Sequence, residues 1–383
     1  MIMRVLALLF SLMIMCSCGN NGKRELLFER YQIAGLETTP DYWRVRPEQI
    51  IDFCQSLTNG HSEIIAETPA GFPVYACFFG DFSDPVPQTN WSAGNSSSTM
   101  SAYLGDVEHP QTIMLLAGVH GSEPEGTAAA MNMISLLETG KDFMGNTDST
   151  FLSLASNYRL IIVPCANMDG RAICPDHLRG QPYEVFRAVC QGIWKEDGSL
   201  VGWKGSKMFF PLPLDKVSFP GGYPNSEGYN IQHDLTPGDM RTEEAKAICR
   251  LISRWRVDLM LNAHSCQYAP SMLAPSLIDT PRHVTRGCEI SEKVNRRLIE
   301  IGLRPSDKPA VLRPKETLNL SSIVNLCSGG LGLTLECSSS YDNINNPKKC
   351  YTFVEMMEPV FVAMNVIMED GLSKSLAERK QNR

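Results

Sequence analysis

The sequence predicts an α/β protein: a mixed, mostly parallel twisted sheet sandwiched between helices, α/β/α. Three observations predict it. Short apolar runs without polar alternation recur at 112–119 (TIMLLAGV), 160–164 (LIIVP), 257–263 (VDLMLNA) and 331–335, the mark of strands buried on both faces. Helical periodicity fills much of the chain between them, as parallel crossover units require. At 383 residues, 43% of them hydrophobic, the chain is long enough for one large core.

The elements follow in order. Residues 47–57 (PEQIIDFCQSL) have helical spacing with a proline at the start, where its missing N–H costs nothing. Residues 62–67 and 74–80 (VYACFFG) read as strands separated by the turn at 69–73 (PAGFP). The Pro-, Asn- and Ser-rich stretch 81–101 predicts a surface loop. After the strand at 112–119 comes a helix opening at Pro124 (PEGTAAAMNMISLLE), with Gly140 just past its end. Further helices are expected at 241–255, 288–301 and 353–368. Between the second and third buried strands, residues 171–227 are rich in glycine, proline and aromatics and poorly periodic. So long an irregular stretch in a compact domain is expected to build a substrate-binding region. There is no internal repeat.

Composition narrows the class. A formal net charge of −7 excludes the basic stripe that nucleic-acid binding requires. Of 13 cysteines none forms a CxxC pair or short-spaced cluster, so a cysteine-based metal site is not expected. Cys77, Cys165, Cys249 and Cys337 fall in apolar segments and are expected in the core.

The N-terminus reads as an export signal. Residues 1–4 are short and basic, residues 5–15 almost wholly apolar, and the run is too short to span a bilayer. The stretch 15–18 (MCSC) followed by GNNG resembles a bacterial lipoprotein signal, with small Ser17 before Cys18, although Met15 stands where leucine is more typical. That resemblance implies a lipidated Cys18 and a membrane-anchored protein facing the periplasm or the cell exterior. The simpler alternative is an ordinary cleaved signal. The expected organisation is a signal over 1–17, a tether and lead-in over 18–45, a catalytic domain over 46–370 and a tail over 371–383.

In sheets of this kind the ligand site lies off the carboxyl ends of the strands. Polar residues follow four such ends: His120 and Glu123, the Asn167–Met–Asp169–Gly170 turn, His264, and Glu336. A catalytic zinc needs three His or carboxylate ligands and one open position for water. His120 and Glu123 offer two on one tight turn, His264 a third, and Glu336, at the end of the apolar run LGLTLE, is placed to act as a base. Taken singly, each has a plainer reading, as a hydrogen-bonded structural histidine or a buried structural carboxylate.

The ordered set resembles the zinc carboxypeptidases of the M14, or funnelin, family over most of 47–370. The resemblance rests on the HGSE turn, the NMDG turn, the GYNIQHD segment at 228–234, a helix similar to the family's around 242–247, the His-Ser at 264–265 and the Thr-x-Glu at 334–336. It implies His120, Glu123 and His264 as ligands of one zinc ion and Glu336 as the residue that activates water. It also implies an arginine for the oxyanion, for which Arg171 and Arg179 are candidates, both equally readable as surface charges. Asn167, Asp169, Gln232 and His233 are the candidate substrate-binding residues, the first two also readable as turn-formers.

One departure bears on substrate. Where the family carries Asn-Arg, whose guanidinium grips a terminal carboxylate bidentately, this chain has Gln232 and His233. The family's tyrosine upstream of the catalytic glutamate is also absent, its neighbourhood being Lys315, Glu316 and Thr317. The expectation is a zinc hydrolase cleaving an amide bond in a peptide or peptide-like substrate, with no protein partner implied. The alternatives are a zinc deacylase of small N-acyl amino acids, similar to succinylglutamate desuccinylases and aspartoacylases, and a non-catalytic binding lipoprotein.

Overall fold

The computed structural model describes residues 26–383 except 84–85, 106–109, 237, 268, 306–310, 342–350, 378 and 380–383. The expected signal and the lipidated Cys18 lie outside the described residues. In chain order the elements are α1 (Pro47–Gln55), β1 (His61–Glu67), β2 (Pro73–Phe79), α2 (Trp91–Ser96), α3 (Met100–Leu104), β3 (Thr112–Ala117), α4 (Pro124–Thr139), α5 (Ser149–Ala155) and β4 (Arg159–Val163). They continue with α6 (Met168–Ile173), α7 (Tyr183–Gln191), β5 (Ile193–Trp194), α8 (Gly202–Met208), β6 (Val217–Phe219), α9 (Glu243–Arg254) and β7 (Leu259–Gln267). The last are β8 (Ser271–Met272), α10 (Pro281–Glu300), α11 (Ile323–Ser328), β9 (Leu331–Ser338) and α12 (Phe353–Ser373).

The main sheet runs β1-β2-β4-β3-β7-β9-β8. Its four inner strands are parallel, while β1, β2 and β8 join antiparallel at the edges. All residues of β3 and β4 are buried. Successive side chains on a strand point to opposite faces, so both faces must be covered. Two packed groups of helices are seen, α12 with α4 and α10, and α9 with α11. The β3 strand neighbours β4 on one side and β7 on the other, and the chain leaves it for β4 first. The switch in direction therefore opens beside β3, where such sheets place their ligands.

Local signals explain the element ends. Asp148, Thr242 and Thr280 accept the N–H three residues on and so cap α5, α9 and α10. Gly140, in the left-handed conformation at φ 78°, closes α4.

The structure also departs from the sequence reading. The stretch 81–101 is not all loop: it holds α2, capped by Asn90, and the start of α3, both too short for periodicity to register. The irregular 171–227 region contains α7, α8 and the small β5–β6 sheet. The described part of the lead-in packs firmly, because Trp43 and Val45 are buried and the Trp43 indole donates to the Asp176 carbonyl at 2.8 Å. The expected tail also joins the core. Leu376 and Ala377 are fully buried, and Arg379 pairs with Asp258.

The four cysteines expected in the core are buried, and Cys54 and Cys77 bring their sulfurs within 3.6 Å. Among the described residues no helix is long and apolar enough to cross a membrane.

Candidate metal centre

Three strand ends and one tight turn meet at the carboxyl edge of the sheet. After β3 the chain turns through Gly118, at φ 59°, to His120, and Glu123 then stands at the N-cap of α4. Gly121 makes the turn fit: a Cβ there would sit 1.9 Å from the Gly170 carbonyl carbon. Its N–H donates to the Gly222 carbonyl at 2.7 Å, tying the turn to the loop above it. His264 lies near the end of β7, and Glu336 is its register partner on parallel β9. Neighbouring strands lie about 4.8 Å apart, so both side chains rise from one edge of the sheet.

The geometry converges on one carboxylate. His120 Nδ1 is 2.9 Å from Glu123 Oε1, and His264 Nδ1 is 2.9 Å from Glu123 Oε2. The Ser265 N–H also donates to Oε2, at 3.1 Å. One ligand atom from each of the three residues lies within 4.8 Å of the others, and all three residues are buried.

The surrounding hydrogen bonds fit a metal ion between them. Asn230 Oδ1 accepts the Gln232 N–H at 3.1 Å, which fixes its amide orientation. The same oxygen faces His120 Nε2 at 3.3 Å, so that nitrogen carries the proton. In that tautomer Nδ1 offers its lone pair on the side of Glu123, as a ligand to an ion shared with the carboxylate would. The three residues therefore fit a metal ion, with Asn230 orienting the imidazole as outer partners of metal ligands do. Asn230 sits in the GYNIQHD segment, yet the sequence reading passed over it. An asparagine three residues before the altered His233 was the available signal.

Electrostatics describe the same cluster. Burial alone would raise the Glu123 carboxyl, but the imidazoles of His120 and His264 hold it well below the carboxylate range. Burial lowers His120 further than Glu123 raises it. At His264 burial also lowers, but Glu123 and then Glu336 outweigh it and the net shift is upward. Behind the ligands, buried Glu125 accepts from Ser265 Oγ at 2.5 Å, and burial pushes its carboxyl up to about 8.

The remaining predicted residues are placed as follows. Asn167 caps α6, and its amide donates to the Tyr223 and Pro224 carbonyls at 3.2 and 3.1 Å. Asp169 Oδ2 accepts the Ser226 N–H at 3.0 Å. Both therefore hold down the 222–226 loop, whose Tyr223 ring packs 4.3 Å from that of His120. Gln232 turns toward the sheet, its Oε1 accepting from Asn262 at 3.0 Å. His233 is exposed and meets Lys207 Nζ at 2.6 Å. Arg171 is buried and donates to the Cys174 and Pro175 carbonyls. Arg179 is engaged with Glu37 and the Tyr351 carbonyl. The cation whose charge reaches His120, His264 and His233 is Lys207, absent from the sequence reading.

The zinc carboxypeptidase family's model matches residues 86–192, the stretch carrying the His120–Glu123 turn. Over that stretch the chain is similar to that family. Solved carboxypeptidase structures share its fold. A metallo-carboxypeptidase from Burkholderia cenocepacia is 14% identical with a TM-score of 0.52, covering 84% of this chain and 67% of that one. A carboxypeptidase A from Helicoverpa armigera is 14% identical with a TM-score of 0.54, covering 91% and 78%. No curated protein matches. The chain thus combines a carboxypeptidase-like fold with a buried His-Glu-His cluster able to hold a metal ion.

Proposed function

We propose that this chain is a zinc-dependent hydrolase that cleaves an amide bond in a peptide or peptide-like substrate. One observation carries the reading: two imidazole Nδ1 atoms face the two oxygens of Glu123 at 2.9 Å each, with Glu336 beside His264 in register. His120, Glu123 and His264 would hold the ion, which when bound supplies a Lewis acid and a water of lowered pKa. Asn230 keeps His120 in the tautomer that offers Nδ1. Glu336 takes the proton of the attacking water and delivers it to the leaving amine. The loop bearing Tyr223, anchored by Asn167 and Asp169, keeps bulk water from one side of the His120 ring. The oxyanion role considered for Arg171 and Arg179 finds no support in their contacts.

The second reading, a deacylase of small N-acyl amino acids, is favoured by the loss of the arginine fork at Gln232 and His233. A neutral imidazole cannot grip a carboxylate bidentately. Export through the N-terminal signal, with Cys18 lipidated, belongs to the same proposal and places the substrate outside the cytoplasm.

The test is zinc content together with hydrolysis of a peptide panel and of N-acyl amino acids, by the wild type and by Glu336→Gln. Peptide cleavage by the wild type alone supports the first reading, and selective N-acyl amino acid cleavage the second. Protein that takes up no zinc and cleaves nothing would leave only the non-catalytic binding role.

A further inference from the structure

The antiparallel edge of the sheet holds a pair of side chains that hydrolysis does not use. Cys54, in the last turn of α1, and Cys77, in β2, bring their sulfurs to 3.6 Å, and both are fully buried. Periodicity in two elements sets this meeting. In α1 the buried residues are Pro47, Ile50, Ile51 and Cys54, one helical stripe turned to the core. In β2 Cys77 is held from both sides, opposite Ser62 of β1 and Ile162 of β4. Neither sulfur is carried by a loop. Disulfide sulfurs lie about 2.05 Å apart, so closing the bond takes about 1.5 Å of approach, shared by two side chains.

The chemistry of thiols decides when such a bond forms. In the folded chain the hydrogen bond to Cys54, then burial, hold the Cys77 thiol well above its ordinary value. The attacking species is the thiolate, and both sulfurs are out of solvent, so the seated pair exchanges slowly. Exchange belongs to the stage before α1 seats on β2. One cysteine thiolate attacks the disulfide of a protein oxidant, giving a mixed disulfide and releasing one oxidant thiol. The second cysteine, as thiolate, attacks the sulfur of the first, forming the Cys54–Cys77 bond and releasing the second oxidant thiol. Two electrons and two protons pass from the cysteine pair to the oxidant. Oxidants of this class act in the exported compartments where disulfides persist.

We propose that Cys54 and Cys77 form a disulfide that fastens α1 to β2, installed during folding by exchange with a protein disulfide. The pairing stands on the geometry, while its formation in the cell rests on the export reading. The two cysteines are 23 positions apart, and the segment they close contains β1. No residue of that edge strand is fully buried, so it has less apolar burial to hold it than the inner strands have. A cross-link there reduces the freedom of the unfolded chain where the core contributes least.

The test maps the cysteines of the full chain, expressed in bacterial cells with its own N-terminus and alkylated in denaturant before any reductant is added. No lysine or arginine lies between residues 46 and 141, so trypsin leaves both cysteines in one peptide. Cleavage after glutamate gives fragments 49–63 and 68–108, each with a single cysteine. These two fragments should be found linked, and should separate on reduction. Full alkylation of Cys54 and Cys77, both in this sample and after refolding the denatured chain in a glutathione redox buffer, would overturn the proposal. A bridge from either one to a different cysteine would overturn it too. A link that forms on refolding but is missing from the cellular protein would uphold the pairing and remove the export reading instead. Melting gives a second readout. Reductant present during unfolding should lower the wild-type Tm by about 4 °C, the loop-closure entropy of such a segment spread over a chain of this size. The double variant Cys54→Ala/Cys77→Ala should melt at one temperature with or without reductant. A wild type equally indifferent to reductant would count decisively against the bridge.

Discussion

The floor of the site and its rim were built under different constraints. The floor consists of His120, Glu123, His264 and Glu336, set by strand ends whose register leaves no freedom: moving His264 by one position would turn it to the other face of the sheet. The rim, from α8 through the 222–233 loop, is irregular backbone held by side-chain hydrogen bonds from Asn167, Asp169, Asn225 and Asn230. The floor keeps the complete donor set of a metal hydrolase. The rim instead brings together His233 and, from another element, Lys207, 2.6 Å apart. Chemistry is thus fixed where the sheet dictates geometry, and selectivity varies where loops carry it.

The comparison breaks most decisively at the floor. His264→Ala or Glu123→Gln should leave protein with the wild-type fold but without stoichiometric zinc, and with hydrolysis at background level. Zinc analysis of the purified variants, alongside circular dichroism, checks this; a folded variant with full zinc would remove that residue from the ligand set. Glu336→Gln comes next. It should retain zinc while kcat falls by about 10²–10⁴-fold, the usual contribution of a positioned general base. Near-normal turnover in zinc-loaded Glu336→Gln would assign the proton transfer elsewhere.

Asn230 lies where floor and rim meet, since its side chain caps a rim turn and orients a floor ligand. Asn230→Ala should weaken zinc affinity by about 10- to 100-fold, as loss of an outer partner of a metal ligand typically does. Competition with a chelating dye measures it. An unaltered affinity would mean that packing against Tyr223 alone orients His120.

The same division explains what could be read from the sequence. β3, β4, β7 and β9 were legible because burial on both faces leaves uninterrupted apolar runs, and their ends point to His120, Glu123, His264 and Glu336. The rim was not legible. α2, α3 and α8 are five to seven residues long, too short for a periodic signal. Lys207 reaches His233 across 26 positions through a loop path that no local pattern encodes. Arg171 and Arg179 attracted attention by lying near the NMDG turn, but adjacency in sequence does not aim a side chain. Burial turns Arg171 toward the carbonyls of its own turn, and Arg179 reaches back to Glu37 in the lead-in.

Two buried carboxylates put the comparison in its most quantitative form. Glu123 in the floor is surrounded by imidazoles and held low. Glu244, under the rim, accepts from Asn225 Nδ2 at 3.1 Å, and burial, with Asp169 and Glu227 nearby, pushes it up from 4.5 to about 7. An acid whose pKa is higher folded than unfolded keeps its proton longer in the native state. Stability contributed by this group therefore falls as pH rises from about 4.5 to about 7 and stays reduced above that. Glu244→Gln keeps an acceptor for Asn225 and abolishes the titration. It should match the wild type near pH 4.5 and exceed it by up to about 3 kcal/mol above pH 7, a shift of a few degrees in Tm. Thermal melts of both proteins in one buffer series from pH 4.5 to 8 decide the point. A constant offset across the series, or a wild type that gains on the variant at high pH, would show that Glu244 is ionised in the fold and that a positive partner balances the rim's buried acid as the imidazoles balance Glu123.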